Sequence, residues 1–262
     1  MRAGLLQSPY KHGSEFRWAG EVQMPCKVCG KAETVRSHIF PKTLGLEMRG
    51  AHGGVSLVSR VPGLPQSLPS TLYDLHMLCH EHEQATSSLD KYGVEFIRRA
   101  KGAAREAPDE TVYRIRNPNP RRLSQFVASV LWRYLASPFG SDDAAQQRVH
   151  MARLKRLTFR DQGSELLAYA ALTTMRIGSL EGPMIIVPFY NEDDRRPFWK
   201  MDLGGVAFMV ALRGAGFGPS FAHGQVGSAD PVWIPKFDVI DALAWPQTRD
   251  IFMAHHLRNR RD

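Results

Sequence analysis

Apolar and polar positions alternate in two short stretches near the start of the chain, which is the pattern of half-buried strands. Residues 33 to 39 predict one strand, and residues 55 to 58 predict another. The second stretch lies within residues 50 to 70, where Gly, Pro and Ser are frequent. That composition predicts a long exposed loop around the second strand.

A helical pattern follows. Residues 74 to 79 lead into a helix that we expect to continue to about Ala104. Leu89, Phe96 and Ala100 fall at helical spacing and would form one apolar stripe along this helix.

The second part of the chain changes from helical to strand-like patterns. Residues 123 to 136 carry apolar side chains at helical spacing, and residues 141 to 159 begin with acidic and end with basic residues, so both predict helices. Residues 166 to 177 fit either a helix or a strand. Residues 183 to 190 and 200 to 213 are apolar runs bounded by Gly, Pro and Asp, which predict paired strands.

These elements predict an α+β fold in four segments. Residues 1 to 20 form a loosely structured arm, and residues 21 to 105 form a first module. Residues 106 to 122 are polar, basic and proline-containing, which predicts a linker. Residues 123 to 262 then form a domain of helices and an antiparallel sheet, and no motif indicates its role or the oligomeric state.

Composition narrows the class of protein. The chain has 262 residues, of which 43% are hydrophobic, so a sizeable core is expected. A formal net charge of +8 favours an acidic partner such as nucleic acid. No apolar run suits a secretory signal or a membrane span. The chain has three cysteines, an odd number, which argues against a disulfide scaffold and for a reducing compartment. We therefore expect a cytoplasmic protein without a membrane partner.

All three cysteines fall in two short motifs with the same spacing. Cys26 and Cys29 form one pair, and Cys79 and His82 form the other at the start of the predicted helix. Three thiolates and one imidazole make a closed tetrahedral set, which predicts structural Zn²⁺. His76 is an alternative ligand, and isolated thiols are the alternative to zinc.

Two further blocks accompany the cysteine pairs. Residues 37 to 42 read SHIFPK between the two pairs, and residues 78 to 83 read LCHEHE. Together with CKVCG at residues 26 to 30, these blocks resemble the zinc-knuckled branch of the HNH, or ββα-metal, endonucleases, over about residues 22 to 100. The resemblance implies an N-terminal ββα-metal, treble-clef-like zinc module that hydrolyses phosphodiester bonds in DNA, with RNA as an alternative.

The resemblance also implies roles for single residues. His38 would be the general base, and Asp74 would stand where the family has an Asn that orients the histidine. Glu83 takes the position of the last metal-binding histidine, and Asp90, two helical turns later, is a second carboxylate. Carboxylates are ligands suited to Mg²⁺ or Mn²⁺, so these two would hold a catalytic ion.

Basic residues near this site predict contacts with phosphate. Lys42 closes the SHIFPK block, and Arg98 and Arg99 lie on the predicted helix. A solvated helix face is the alternative interpretation of such charges.

Each assignment also has a structural alternative, and the motif departs from the family. His38 could be a buried histidine, Asp74 a turn residue and Glu83 a residue that favours the helix N-terminus. Ser37 stands where the family often has an acidic metal ligand. Two rival functions follow: a zinc-stabilised nucleic-acid-binding module without cleavage, and a zinc-structured domain that binds another protein.

Overall fold

The computed structural model of the chain describes most of its central part. The described residues are 24–49, 55–58, 66–68, 71–140, 144–160, 167–174, 176–177, 180–181, 184–191, 198–211, 225–226 and 231–238. The predicted arm, residues 1 to 20, lies outside them.

Helices and strands are mixed along this part of the chain, which confirms the α+β prediction. The helices are α1 (Lys42–Glu47), α2 (His80–Glu106), α3 (Pro120–Ala136) and α4 (Ala144–Phe159). The strands are β1 (Val35–His38), β2 (Val55–Val58), β3 (Gln66–Leu68), β4 (Tyr73–Leu78), β5 (Val112–Ile115), β6 (Leu167–Thr174), β7 (Arg176–Ile177), β8 (Leu180–Glu181), β9 (Ile185–Asn191), β10 (Phe198–Leu203), β11 (Val206–Ala211), β12 (Gln225–Val226) and β13 (Val232–Asp238). None of the described helices has the length and apolar character needed to cross a membrane.

A two-stranded antiparallel sheet and a long helix form the N-terminal part. Strand β1 pairs with β4, with Ser37 opposite Asp74 and His38 opposite Tyr73. Cys79 follows β4 directly in extended conformation and caps α2, so the chain turns from strand to helix at a predicted zinc ligand. Residues 74 to 79, which were expected only to lead into the helix, thus lie mainly in β4.

A nine-stranded sheet forms the larger layer. Its strand order is β3-β2-β9-β10-β11-β6-β13-β5, with β12 paired to β6. The predicted pairing of residues 183 to 190 with the next apolar run is confirmed, because β9 and β10 are antiparallel neighbours. The described part of the predicted strand at residues 200 to 213, which ends at Ala211, is a hairpin rather than one strand. Gly204 and Gly205 adopt φ of 71° and 95° and reverse the chain between β10 and β11.

Two segments that were predicted to be an exposed loop and a linker contribute strands to this sheet, and the short strand predicted at residues 55 to 58 is confirmed as β2. Within the expected exposed loop, Val55 and Leu57 are buried, and β2 pairs with β9 in parallel. Within the expected linker, Tyr113 and Ile115 are buried, and β5 pairs with β13. In both segments alternate apolar side chains pack into the core, which outweighs the polar composition around them.

Helices α2 and α3 cover one face of the sheet. The ring of Phe208 on β11 lies 6.5 Å from that of Phe96 on α2 and 6.0 Å from that of Phe126 on α3. The predicted stripe is confirmed, since Leu89, Phe96 and Ala100 are all buried. Helix α2 therefore buries the stripe that predicted it, and Phe96 of that stripe packs against the sheet.

The crossing of α2 and α3 depends on a glycine. A Cβ at Gly93 would lie 2.3 Å from the ring of the buried Phe126, so Gly93→Ala forces that ring to move. Overpacking of this kind costs about 1–3 kcal/mol, which exceeds the gain in helix propensity of about 1 kcal/mol. We expect Gly93→Ala to lower the free energy of unfolding by up to about 2 kcal/mol in urea titrations.

Gly102 in the same helix is the matched control. A Cβ there meets nothing within 4 Å, so Gly102→Ala should raise stability by about 0.5–1 kcal/mol through helix propensity alone. Equal effects of the two substitutions would contradict the close packing of the helices.

Candidate functional site

The four predicted zinc ligands converge at the start of α2. The ligand atoms of Cys26, Cys29, Cys79 and His82 all lie within 4.8 Å of one another. The Sγ atoms of Cys29 and Cys79 are 3.8 Å apart, and Nδ1 of His82 lies 3.1 Å from Sγ of Cys79 and 3.8 Å from Sγ of Cys26. In the described part of the chain, this is the one cluster of three or more such residues suited to a metal ion.

These distances are close to those of a tetrahedral zinc site, although Nδ1 of His82 lies nearer to Sγ of Cys79, at 3.1 Å, than two ligands of one ion would be. Zn–S bonds of about 2.3 Å at the tetrahedral angle separate two sulfurs by about 3.8 Å, and a sulfur and a nitrogen by about 3.6 Å. Three thiols and one imidazole are also the donor types that zinc prefers. The residues present therefore fit a structural Zn²⁺ ion.

The first cysteine pair sits in a tight turn that the backbone holds in place. The amide of Gly30 donates to the carbonyl of Cys26 at 2.8 Å, and Gly30 has φ of 78°, which a side chain would disfavour. The amide of Lys27 donates to the carbonyl of Met77 on β4 at 2.9 Å. This bond docks the first pair beside the second, although the two are far apart in sequence.

Backbone amides also stabilise thiolate at the buried cysteine. Burial by itself raises the pKa of Cys26, but hydrogen bonds from the backbone of Cys29 and Cys79 outweigh it, and the pKa is lowered overall. The pKa of His82 is lowered too, mainly by burial, which keeps the imidazole neutral. Neutral imidazole and thiolate are the forms that bind a metal ion.

Helices α3 and α4 hold this cluster from the other side. Lys155 on α4 donates to the carbonyl of Lys27 at 2.7 Å, and the ammonium of Lys27 donates to the carbonyl of Ala136 at the end of α3. The ring of Phe159 lies edge-on to His82 at 5.2 Å. The cluster is therefore packed against helices that the sequence assigned to a separate domain.

His38 occupies the end of β1, a few residues before α1. Its side chain is half-buried, and its ring centre lies 6.4 Å from that of Tyr73 on the neighbouring strand. Burial lowers the pKa of His38, and the positive charges of Lys42 and Arg133 lower it further. A neutral imidazole can accept a proton, which is what a general base requires.

Glu83 lies on the first turn of α2, next to β1. Burial raises the pKa of its carboxyl group, while the charge of Arg133 and a hydrogen bond with Ser37 oppose that rise. The backbone of His38 also opposes the rise in the pKa of Glu83. The Oε2 atom is buried and has no hydrogen-bond partner among the described residues. A buried oxygen without a hydrogen-bond partner is suited to bind a cation or an ordered water.

Asp74 lies away from the side chain of His38. Because side chains alternate along a strand, Asp74 shares a face with its partner Ser37, and His38 faces the other side. The carboxylate of Asp74 accepts from the amide of His76 at 2.8 Å and lies 3.6 Å from the ammonium of Lys27. These contacts suit the structural alternative, a carboxylate that braces the strand, rather than a group that orients His38.

Asp90 is engaged by a residue that the sequence did not single out. Both of its carboxylate oxygens accept from the guanidinium of Arg133 on α3, one of them at 2.9 Å. Burial raises the pKa of Asp90, and the guanidinium opposes that rise. Because both oxygens are taken by Arg133, the expected second ligand of a catalytic ion is tied into an ion pair.

The three basic residues predicted to contact phosphate differ in whether other protein groups already engage their side chains. Lys42 is exposed at the first position of α1 and acts electrostatically on His38. Arg98 pairs with Glu47 at 3.0 Å and with Glu95 at 3.4 Å. The guanidinium of Arg99 donates to the carbonyl of Arg116. Only Lys42 of these three lies beside His38.

Comparisons with known proteins identify no relative of this chain. No family model matches the chain, and no curated protein and no solved structure matches it either. The functional interpretation therefore depends on the residues and geometry described above.

Proposed function

We propose that this protein is a zinc-stabilised, HNH-type endonuclease that hydrolyses phosphodiester bonds in DNA. One observation carries the proposal: beside the Cys3His cluster, the carboxyl group of Glu83 interacts with the backbone of the half-buried His38 and keeps one buried oxygen without a hydrogen-bond partner. In this interpretation β1, β4 and α2 are the ββα unit, and zinc fixes the start of α2 against the β1–β4 sheet.

The residues supply the parts that hydrolysis needs. His38, kept neutral by its surroundings, would accept the proton of the attacking water. Lys42 would attract the phosphate as a point charge. The basic balance of the chain, with a net charge of +8, favours a polyanionic substrate.

A divalent ion would be held by Glu83, whose free oxygen is a hard ligand for Mg²⁺ or Mn²⁺. Such an ion, when bound, stabilises charge on the phosphate oxygens. Ser37 contributes a hydroxyl beside Glu83 where the family often has a carboxylate, and Asp90 is occupied by Arg133. We therefore propose a site that holds its ion with one carboxylate and water.

The test is cleavage of supercoiled plasmid by the purified protein with Mg²⁺ or Mn²⁺. We expect His38→Ala to slow nicking by about 10²–10⁴-fold, because a positioned general base contributes that much. The zinc content and melting temperature should stay those of the parent protein.

His80→Ala is the matched control, since His80 is an exposed histidine on α2. It should cut at the parental rate. If His38→Ala also cuts as fast as the parent, His38 is not the base and the proposed mechanism is wrong.

Ser37 and the ion pair of Asp90 favour a second candidate function, which is nucleic-acid binding without cleavage. With one carboxylate free, the site could bind nucleic acid without cutting it. In that case the parent protein binds DNA with an affinity that falls steeply with salt, yet it leaves plasmid intact at every Mg²⁺ or Mn²⁺ concentration.

A further inference from the structure

A fully buried arginine connects α3 to the strand that carries His38. Arg133 has 0% of its side chain exposed. Its Nη1 atom donates to the backbone carbonyl of His38 at 2.6 Å and to Asp90 at 2.9 Å. Its Nε atom donates to the carbonyl of Ser129 at 3.4 Å, one turn earlier in α3.

These contacts bring together three elements that are distant in sequence. The guanidinium is planar and rigid, so its donors fix directions as well as distances. One edge holds Asp90 of α2 and also reaches the carbonyl of His38 in β1. The position of His38 relative to α2, and thus to Glu83, is therefore set by a side chain from α3.

The cation also acts on both groups of the proposed site. Arg133 exerts an electrostatic effect on His38 and on Glu83, although it is too deeply buried to reach a substrate. Any effect of Arg133 on the reaction must therefore act through His38 and Glu83 rather than through contact with the substrate. A buried arginine that only joined two helices would need Asp90 but would not need the carbonyl of His38.

We propose that Arg133 is a positioning residue: it fixes the backbone of His38 against α2 and occupies Asp90, so that Glu83 is the carboxylate left for a divalent ion. The proposal rests on the nuclease function proposed above. It makes α3 part of the catalytic unit, and it assigns to residues beyond position 123 a function that no motif indicated.

The experiment compares Arg133→Met with the double variant Arg133→Met/Asp90→Asn. The single variant leaves a buried carboxylate without its partner, so loss of activity could reflect poor folding. The double variant removes that unpaired charge and should regain most of the lost stability and the parental zinc content. Its kcat for plasmid nicking should nevertheless stay about 10²-fold below the parent with KM unchanged, because a misplaced catalytic group costs about that much.

Arg122→Met is the matched control. Arg122 also joins α3 to α2, through the Ser88 hydroxyl at 2.9 Å, but it does not contact β1. This variant should keep the parental kcat. Arg133→Lys should regain part of the lost rate, since an ammonium can replace one of the donors.

Two results would overturn the proposal. If the double variant recovers kcat together with stability, Arg133 only supports the fold. If Arg122→Met loses as much kcat as the double variant, any contact between the helices suffices and the carbonyl of His38 is irrelevant.

A second readout separates this proposal from the nuclease function. In protein labelled with ¹⁵N at histidine, the ring signals of His38, assigned with His38→Ala, should be one sharp set in the parent and broadened or multiple in the double variant. Unchanged signals overturn the positioning role even if the parent cuts DNA. If the parent does not cut DNA, the nuclease proposal fails, while the spectra still decide whether Arg133 fixes His38.

Discussion

Cys79→Ser is expected to abolish zinc binding and to remove the cooperative unfolding transition of the N-terminal part of the chain. Cys79 contributes a sulfur to the cluster. It also stands at the N-cap position of α2, but its side chain makes no capping hydrogen bond there and serine is a good N-cap residue, so the substitution acts through the loss of the metal ligand. Structural zinc contributes an apparent binding free energy of about 10–16 kcal/mol in small zinc domains. A whole domain is stable by only about 5–15 kcal/mol, so losing a ligand can cost all of the stability.

The measurements are zinc content by mass spectrometry and thermal unfolding by circular dichroism. We expect one zinc ion per chain in the parent and close to none in Cys79→Ser. His80→Ala, which changes the next residue without removing a ligand atom, should keep both the zinc and the transition. A Cys79→Ser protein that melts like the parent would show that the cluster does not stabilise the fold.

Arg133→Met is expected to have the next largest effect on stability. The carboxylate of Asp90 loses the partner that engages both of its oxygens, and its side chain is only 14% exposed. Breaking a buried ion pair by removing one member costs about 3–5 kcal/mol, because the remaining charge is uncompensated. Urea unfolding followed by tryptophan fluorescence would measure the loss, and Trp132 beside Arg133 is a suitable reporter.

A double-mutant cycle with Asp90→Asn tests the cause of that loss. Asp90→Asn in the Arg133→Met background should return most of the lost free energy, since no buried charge then remains unpaired. If the two substitutions are additive, the ion pair does not account for the stability of this contact.

The sequence was most informative where the physical cause is local. The spacing of Cys26 and Cys29, repeated in Cys79 and His82, predicted the cluster because a tight turn brings residues three apart onto one ion. Helix α3 was predicted because its apolar side chains recur at helical spacing. Each ligand pair and the helix are thus signalled within a few residues, whereas the docking of the two pairs, with Cys29 and Cys79 separated by 50 positions, is not.

The remaining features depend on partners that are distant along the chain. Strand β5 has exposed arginine beside buried Tyr113 and Ile115, and its pairing with β13 could not be read from such a short polar segment. Arg133 looked like one more basic residue in a helix, yet it is buried because Asp90 and His38 lie opposite. Its apolar neighbours on both sides were the available signal, since a charge within such a run is more often paired than solvated.

The strand order of the large sheet bears on how the chain reaches its native state during synthesis. Its outer strands β3, β2 and β5 come from residues before 116, whereas the central strands come from residues after 166. The early strands thus leave the ribosome long before the partners that they pair with. Zinc can close around its four ligands by residue 82, but β2 has an unpaired edge until β9 is made. Pairing over such distances is slow, so this protein should fold late in translation and should depend on chaperones to shield its early strands.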